Sequence, residues 1–219
     1  MKKLIFFFGV FIAIGLTSSC NKTYVYLASS PYDLTSLKNK SVTIVGTDRI
    51  LLKGFIKTFN EQYGNKSVFI NNYINLFKDH LSLGNTFTKI EADTSHAWHL
   101  IKSFAGSKED FVLIDSLFVN NHSDYILNIY NFEISNRNIN NTGTEADGNV
   151  MSTRKEIAVV KARFQVIDRL SRQHLVEFEA SGEKAVSFFN LKTALNKALL
   201  KSIEHAVQYI QSGETKFKK

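Results

Sequence analysis

The most regular alternation of apolar and polar residues lies in the second half of the chain. In residues 156–168 (EIAVVKARFQVID) and 174–183, apolar residues recur at every second position. Because alternate side chains of a strand share one face, this pattern predicts two strands that each bury one face. A turn around Leu170–Arg172 would join them into an antiparallel hairpin. The side chains predicted to face inward are Ala158, Val160, Ala162, Phe164 and Val166 of the first strand and Val176, Phe178 and Ala180 of the second.

The same hairpin carries a prediction of register. If the numbers of paired residues sum to 342, the inward-facing apolar residues oppose one another and Arg163 lies opposite Glu179. Gln165 then lies opposite Glu177, and Lys161 shares this outer face. Exposed ion pairs contribute only about 0–1 kcal/mol, so the pairing indicates the register more than it stabilises the fold.

Three further segments predict strands. The apolar run Val42–Val45, which ends at Gly46, is typical of a buried strand. Residues 86–92 alternate and favour a strand at the edge of the sheet, whereas residues 123–136 are apolar on both faces and favour a central strand. The predicted faces of this central strand are Tyr125, Leu127 and Ile129 on one side and Ile126, Tyr130, Phe132 and Ile134 on the other.

Apolar residues spaced three and four apart predict helices over 67–82 and 190–212, and two shorter helices are predicted over 95–105 and 109–120. The last helix ends at Gly213 and is long enough to cover a sheet, although a helix lying on a membrane surface would have a similar pattern. Its apolar stripe is Leu191, Leu195, Leu199, Ile203, Ala206 and Ile210, and its predicted exposed face is Lys197, Lys201, Glu204, His205 and Gln208.

The order of these elements predicts an α/β (α+β) fold. We expect a mixed sheet of about five strands with an antiparallel C-terminal hairpin, helices packed on the sheet, and the long amphipathic helix at the C-terminal end. One domain would span residues 41–213, followed by a basic tail over 214–219. Residues 136–149 lack apolar periodicity, which favours a flexible connection or a binding loop.

The beginning of the chain has the pattern of a signal peptide. Two lysines follow Met1, an apolar run extends from Leu4 to Leu16, and small residues precede Cys20. As a helix this run would cover only about 20 Å, less than the ~30 Å hydrocarbon core of a bilayer. We therefore predict a cleaved leader over 1–19, with a short membrane anchor or a plain signal peptide as the alternatives.

The residues Thr17-Ser18-Ser19-Cys20 resemble a bacterial lipobox, with Thr17 where leucine is usual. The resemblance implies that Cys20 is lipidated and becomes the mature N-terminus, and two or three acyl chains would anchor it stably. Residue 21 is Asn rather than Asp and no acidic run follows, which by the same resemblance implies the outer membrane and its periplasmic face. Residues 20–40 would then form a lipidated tether.

The composition excludes some classes of function for this protein. The formal charge of +7 falls to +5 without Lys2 and Lys3, and the basic residues are scattered, so no nucleic-acid surface is predicted. The chain has 12% aromatic residues and one proline, which is typical of a folded domain. Cys20 is the only cysteine, so no disulfide forms within the chain.

One cluster is a candidate for catalytic chemistry. Asp93, His96 and His99 are spaced three apart, and two histidines with a carboxylate are ligands that zinc accepts. The sequence offers no evident fourth ligand, no His-Glu-x-x-His motif, no Gly-x-Ser-x-Gly elbow and no phosphate-binding loop. We therefore predict no cofactor.

Three tyrosines lie near Cys20 in the sequence. The rings of Tyr24, Tyr26 and Tyr32 could lie among lipid headgroups, bind a sugar, or pack the tether onto the domain.

Two segments carry a resemblance to known envelope proteins. HSDYILNIYNFEIS (122–135) and VVKARFQVIDRLSRQHLVEFEASGE (159–183) resemble the middle strand and hairpin of domains similar to the amino-terminal domain of TolB, the curli-secretion lipoprotein and the activator lipoproteins of peptidoglycan synthases. In those domains a Thr-Gly turn often follows the aspartate, and here RLSRQ follows Asp168. The resemblance implies a non-catalytic protein that binds other envelope components.

The expected function is therefore a membrane-anchored envelope lipoprotein that binds or scaffolds other envelope components and is not an enzyme. Its partners would be the membrane, through acyl chains on Cys20, and an envelope protein or peptidoglycan. One alternative is an envelope enzyme, metal-dependent through His96 and His99. Another is a subunit of an oligomeric secretion or pore assembly.

Overall fold

The computed structural model describes residues 22–27, 33–46, 49–94, 119, 121–144, 150–187 and 190–217 of the 219-residue chain. The predictions for the leader, Cys20, His96 and His99 lie outside the described residues. So do the helix predicted over 95–105 and all but Val119 of the helix predicted over 109–120.

The described residues form nine strands, three α-helices and one 3-10 helix. The helices are α1 (Ile56–Tyr63), α2 (Lys66–Ser82) and α3 (Leu191–Ser212), with a 3-10 helix over Leu34–Leu37. The strands are β1 (Lys22–Thr23), β2 (Val25–Leu27), β3 (Lys40–Gly46), β4 (Ile50–Leu52), β5 (Phe87–Ala92), β6 (Tyr125–Thr144), β7 (Val150–Asp168), β8 (His174–Ala185) and β9 (Lys216–Phe217).

Seven strands form one mixed sheet in the order β2-β8-β7-β6-β3-β5, with β4 also paired to β6. Strand β3 is parallel to β5 and β6, whereas β6, β7, β8 and β2 pair antiparallel in turn. The mixed α+β class is confirmed, as are the central position of β6 and the edge position of β5. The strand count exceeds the five predicted because the short strands β2 and β4 join the sheet.

The predicted register of the C-terminal hairpin is confirmed. Arg163 pairs with Glu179 and Gln165 with Glu177, and the rings of Phe164 and Phe178 stack with centroids 4.9 Å apart on the inner face. One side chain differs from the prediction. Gln165 is buried rather than exposed, and its Oε1 accepts a hydrogen bond at 3.2 Å from the Asn128 amide on the central strand.

A β-bulge in the central strand corrects the predicted faces of β6. The register against β7 shifts between Tyr130 and Glu133, and Asn131 has a φ of 49°. The extra residue moves Phe132 and Ile134 onto the face that holds Leu127. Their predicted position on the opposite face is therefore wrong, and both are buried in the core between the sheet and the helices.

The predicted loop over 136–149 is also wrong for most of its length. Strand β6 continues to Thr144 and pairs with β7 from Val150 onwards, so only residues 145–149 remain as its connection. Asn136, Arg137 and Asn138 are exposed. Residues 136–138 show no apolar periodicity, although backbone pairing with β7 holds them in the sheet.

Helices α2 and α3 cover one face of the sheet, as the apolar stripe of α3 predicts. Asn190 caps the first turn of α3 by accepting a hydrogen bond from Thr193 N, and Gly213 ends the helix in the left-handed region at φ 74°. Leu195, Ile203 and Ile210 are at most 1% exposed. In the part of the chain that the structure describes, no helix combines the length and apolarity needed to cross a membrane.

The segment expected as a tether contributes to the domain. Val25 of β2 is 1% exposed, and Leu37 of the 3-10 helix is fully buried. From the expected basic tail, Lys216 and Phe217 form β9 and pair with β1. Both ends of the described chain are therefore held in β structure.

Candidate functional site

The chain that follows Cys20 is attached to β8 and α3. Strand β2 pairs with β8, so that Tyr26 lies beside Glu179, and the Ser181 amide donates to the Tyr24 carbonyl at 2.9 Å. The Tyr24 ring stacks on the His205 ring with centroids 4.3 Å apart and planes 14° from parallel. Tyr24 thus packs against the domain, while Tyr26 is 53% exposed and Tyr32 lies outside the described residues.

His205 fixes this attachment from the helix side. Its Nδ1 lies 2.7 Å from the Ser181 carbonyl oxygen, which selects the tautomer that donates from Nδ1. Burial lowers the pKa of His205 below its usual value. The sequence placed His205 on the exposed face of α3, but the ring lies at the edge of that face, where Tyr24 covers it.

The first and last described strands form a two-stranded ribbon. Lys22 pairs with Phe217 and Thr23 with Lys216, antiparallel. Cys20 precedes Lys22 by two residues, and two extended residues span about 7 Å at most. A group bound to Cys20 would therefore stay close to the end of this ribbon.

The sheet face opposite the helices carries a band of charged side chains, which we call the charged trough. It is defined by Glu133, Arg137, Lys161, Arg163, Glu179 and Glu183. These residues alternate along β6, β7 and β8 with the apolar side chains of the core. The bulge at Asn131 brings Glu133 onto this face, since the strand would otherwise turn it toward the helices.

Ion pairs connect neighbouring strands along the charged trough. Glu179 lies between two cations, with Lys161 Nζ at 3.5 Å and Arg163 Nε at 3.4 Å. Arg137 pairs with Glu183 at 2.9 Å. Lys53 donates to Glu133 at 2.8 Å, and this hydrogen bond lowers the pKa of Glu133.

Two adjoining depressions run along the charged trough, with volumes of about 270 and 390 Å³. They share Glu133, Lys161 and Glu179. Leu51 of β4, which is 52% exposed, lines one, and Tyr26 of β2 lines the other. The surface therefore offers paired charges together with two exposed apolar side chains, which suits contact with a polar partner surface.

The residues proposed for metal binding are not brought together by the described part of the structure. Asp93 follows β5 and its backbone N–H donates to the Ile44 carbonyl at 2.9 Å, while His96 and His99 lie outside the described residues. Within the described ranges, no three or more His, Cys, Asp or Glu side chains are grouped closely enough to hold a metal ion.

Ser123 and Asp124, which immediately precede the central strand β6, have a structural role. Asp124 Oδ2 accepts hydrogen bonds from the backbone N of Ser41 at 2.8 Å and from its hydroxyl at 2.9 Å, and these bonds lower the pKa of Asp124. The Ser123 and Thr43 hydroxyls lie 2.7 Å apart in a buried contact. Both contacts fasten the start of β6 to β3, a role that strand periodicity alone does not reveal.

By sequence, no protein-family model and no curated protein matches the chain. Among solved structures it is similar to a neuraminyllactose-binding hemagglutinin homolog from Helicobacter pylori, at a TM-score of 0.44 and 7% identity over 86% of this chain and 90% of that one. It is similar to PelC, a dodecamer from Paraburkholderia phytofirmans, at 0.40 and 12% identity over 87% and 99%. It is similar to the lipoprotein GNA1162 from Neisseria meningitidis at 0.30 and 13% identity over 74% and 98%. At these scores the similarities do not identify a function for this chain.

Proposed function

We propose that the protein is a lipid-anchored, non-catalytic binding module of the bacterial cell envelope. The observation that carries the proposal is the attachment of the segment after Cys20 to the domain, through β1 with β9 and β2 with β8. An acyl anchor on Cys20 would then hold the domain beside the membrane without a long flexible linker. Confinement of this kind raises the effective concentration of the module for partners on the same membrane.

The charged trough is the proposed contact surface. Its six defining residues are three cations and three carboxylates, and Arg49 also lines it, so its net formal charge is only about +1. A balanced surface suits a partner of mixed charge and does not favour a polyanion such as nucleic acid. The exposed Tyr26 and Leu51 side chains would supply the apolar contacts around which binding energy concentrates.

The proposed location is the periplasmic face of the outer membrane. It rests on the leader, on Cys20 and on Asn21 rather than Asp at the next position. A relation to the domains of the TolB, curli-secretion and synthase-activator type belongs to the same proposal. The partner would then be an envelope protein or peptidoglycan.

The experiment is a chemical crosslinking and pull-down of the acylated protein from its native envelope. Mass spectrometry of the N-terminal peptide should show acyl chains on Cys20, and Cys20→Ala should release the protein from the membrane fraction. The double variant Tyr26→Ala/Leu51→Ser should lose the crosslinked partner while it remains in the membrane. Leu170→Ser is the matched control, because Leu170 is 92% exposed and lies outside the charged trough.

Each arm separates one part of the proposal from the others. An unmodified Cys20 thiol on membrane-bound protein contradicts the anchor. Capture of the same partner by the double variant removes the charged trough as the contact surface. Crosslinks only between copies of the chain would support the oligomeric assembly instead, and turnover of an envelope component by the purified protein would support an enzyme.

A further inference from the structure

A second concave surface lies on the helix side of the sheet, between α1, α2 and α3. This groove has a volume of about 510 Å³. Side-chain amides line it from all three helices, and we call it the amide groove. Its polar lining is Gln62, Tyr63, Asn72, Asn75, Asp79 and Asn196.

The hydrogen bonds at one end of the amide groove leave groups for a ligand. The Tyr63 hydroxyl donates to Asn196 Oδ1 at 3.2 Å, and the Gln62 amide NH2 donates to the same oxygen. Gln62 Oε1 is buried and, among the described residues, has no hydrogen-bond partner. A buried carbonyl oxygen without a partner is unfavourable, so a rotation of the Gln62 side chain that turns this oxygen into the groove would let it accept from a hydroxyl or amide group of a ligand.

The charge of the amide groove limits the kind of ligand that fits. The residues that line it include no Lys, Arg or His, so an anionic ligand such as a phosphate would find no countercharge. Burial raises the pKa of Tyr63 to about 12, so its hydroxyl stays protonated at neutral pH. Asp79 supplies the only carboxylate of the lining, and it can accept hydrogen bonds from hydroxyl groups.

The amide groove also has apolar side chains in its lining, which suit the C–H groups of a sugar. Leu76, Leu199 and Leu200 lie among the amides, and Leu199 is 2% exposed. A sugar ring presents hydroxyl groups at its edge and C–H groups on its faces. Amides can donate to and accept from those hydroxyls at once, while the half-buried Leu76 and Leu200 would cover the C–H face.

We propose that the amide groove binds an uncharged, hydroxyl-rich glycan. This proposal is independent of the charged trough and of Cys20, since it involves other residues on the other side of the sheet. A glycan is favoured over a peptide because the amides project separately from three helices and no free strand edge lies within the lining to pair with a peptide backbone.

The test is a titration of the full mature chain with two uncharged trisaccharides, fully N-acetylated chitotriose and maltotriose, followed by NMR of the side-chain amides. At least one sugar should shift the side-chain NH2 signals of Asn72, Asn75 and Asn196. A response to chitotriose alone assigns acetamido sugars, and a response to both assigns hydroxyl recognition in general. Either response supports the proposal.

The variant Asn72→Ala/Asn75→Ala removes two exposed amides of α2. It should weaken sugar binding by about tenfold, the effect of losing two modest hydrogen bonds. Asn60→Ala, an exposed amide of α1 outside the lining, should leave the affinity unchanged. The Tyr26→Ala/Leu51→Ser variant should also bind sugar normally, which separates this test from that of the proposed function.

Three results would overturn the proposal. The first is the absence of amide shifts with both sugars up to their solubility limits. The second is binding that the α2 double variant leaves unchanged. The third is a response of the same amides to trialanine but to neither sugar, which would make the groove a peptide site.

Discussion

Single polar residues connect strands of this fold at positions that the hydrophobic pattern does not predict. Asp124 is exposed, yet its carboxylate joins β6 to the backbone of β3 through Ser41. The sequence identified SDYIL as the start of a central strand from its apolar residues alone. The aspartate was unassigned because its partner lies 83 residues earlier in the chain, and a local pattern contains no information on such a contact.

Replacing Asp124 with Asn should lower the free energy of unfolding by about 1 kcal/mol at pH 7, because a charge-assisted hydrogen bond to the Ser41 amide is weakened. The folded pKa of Asp124 is lowered, so its contribution is present above the unfolded pKa of about 3.9 and is lost as pH falls through the folded value. Urea unfolding of the wild type and the variant at pH 7 and in strong acid measures the loss of stability and its dependence on pH. A difference between wild type and variant that persists in strong acid would contradict this role.

Elements were predicted well where one face is buried and poorly where it is not. The register of β7 and β8 followed from paired charges and apolar residues. The bulge at Asn131 was missed because a single inserted residue leaves apolar side chains on both faces of the pattern. The continuation of β6 beyond Ser135 was missed because Asn136, Arg137 and Asn138 are exposed and show no apolar alternation.

The candidate sites follow the same division. The opposed charges of Arg163 and Glu179 could be predicted because they depend on one hairpin, whereas the role of Cys20 stays a prediction, since it lies outside the described residues. The charged trough as a surface also needs the bulge and β4, and the amide groove needs Gln62, Asn72 and Asn196 to meet from three helices. Contacts between side chains of different helices depend on how the helices pack, and the periodicity within each helix does not determine that packing.

The contact between α3 and β8 depends on one glycine. A Cβ at Gly182 would lie 2.0 Å from the Ala198 carbonyl oxygen and 2.4 Å from the Ser202 nitrogen, both backbone atoms of α3. The helix would have to move away from the sheet to make room. Gly182→Ala should therefore lower the free energy of unfolding by about 3 kcal/mol or prevent folding.

Gly46→Ala is the matched control for that prediction. A Cβ at Gly46 would meet Ile74 Cδ1 at 2.8 Å and Ile70 Cγ2 at 3.0 Å, which are side-chain atoms that can shift. The expected loss is about 1 kcal/mol, at the lower end for overpacked cores. Thermal unfolding followed by circular dichroism compares the two variants, and equal losses would show that α3 is not held against β8 as closely as described.

At the scale of the whole molecule, the N-terminal segment is attached through a titratable contact. Tyr24 stacks on His205, and His205 accepts a proton less readily than usual because it is buried. The hydrogen bond to the Ser181 carbonyl and the carboxylates of Glu204 and Glu183 oppose the effect of burial on the pKa of His205, whereas Lys201 adds to it. The attachment is therefore linked to pH.

The sign of this linkage follows from the lowered pKa. The contribution of neutral His205 is present above the unfolded pKa of about 6.5 and is lost as pH falls through the lower folded value. Hydrogen exchange at the Ser181 amide, which donates to Tyr24, should become less protected relative to the core between pH 7 and pH 5. His205→Gln should remove this pH dependence, and protection that falls equally in both proteins would contradict the assignment.

The pairing of β1 with β9 has a practical consequence for labelling. If Cys20 carries the proposed acyl anchor, a fluorescent protein fused beyond Phe217 would lie beside the anchored end of the chain, in the crowded space next to a bilayer. The β7–β8 turn, where Leu170 is exposed, lies roughly 20 Å along β8 from Ser181. An epitope inserted in that turn should remain accessible to an antibody when one fused at the C-terminus is hidden.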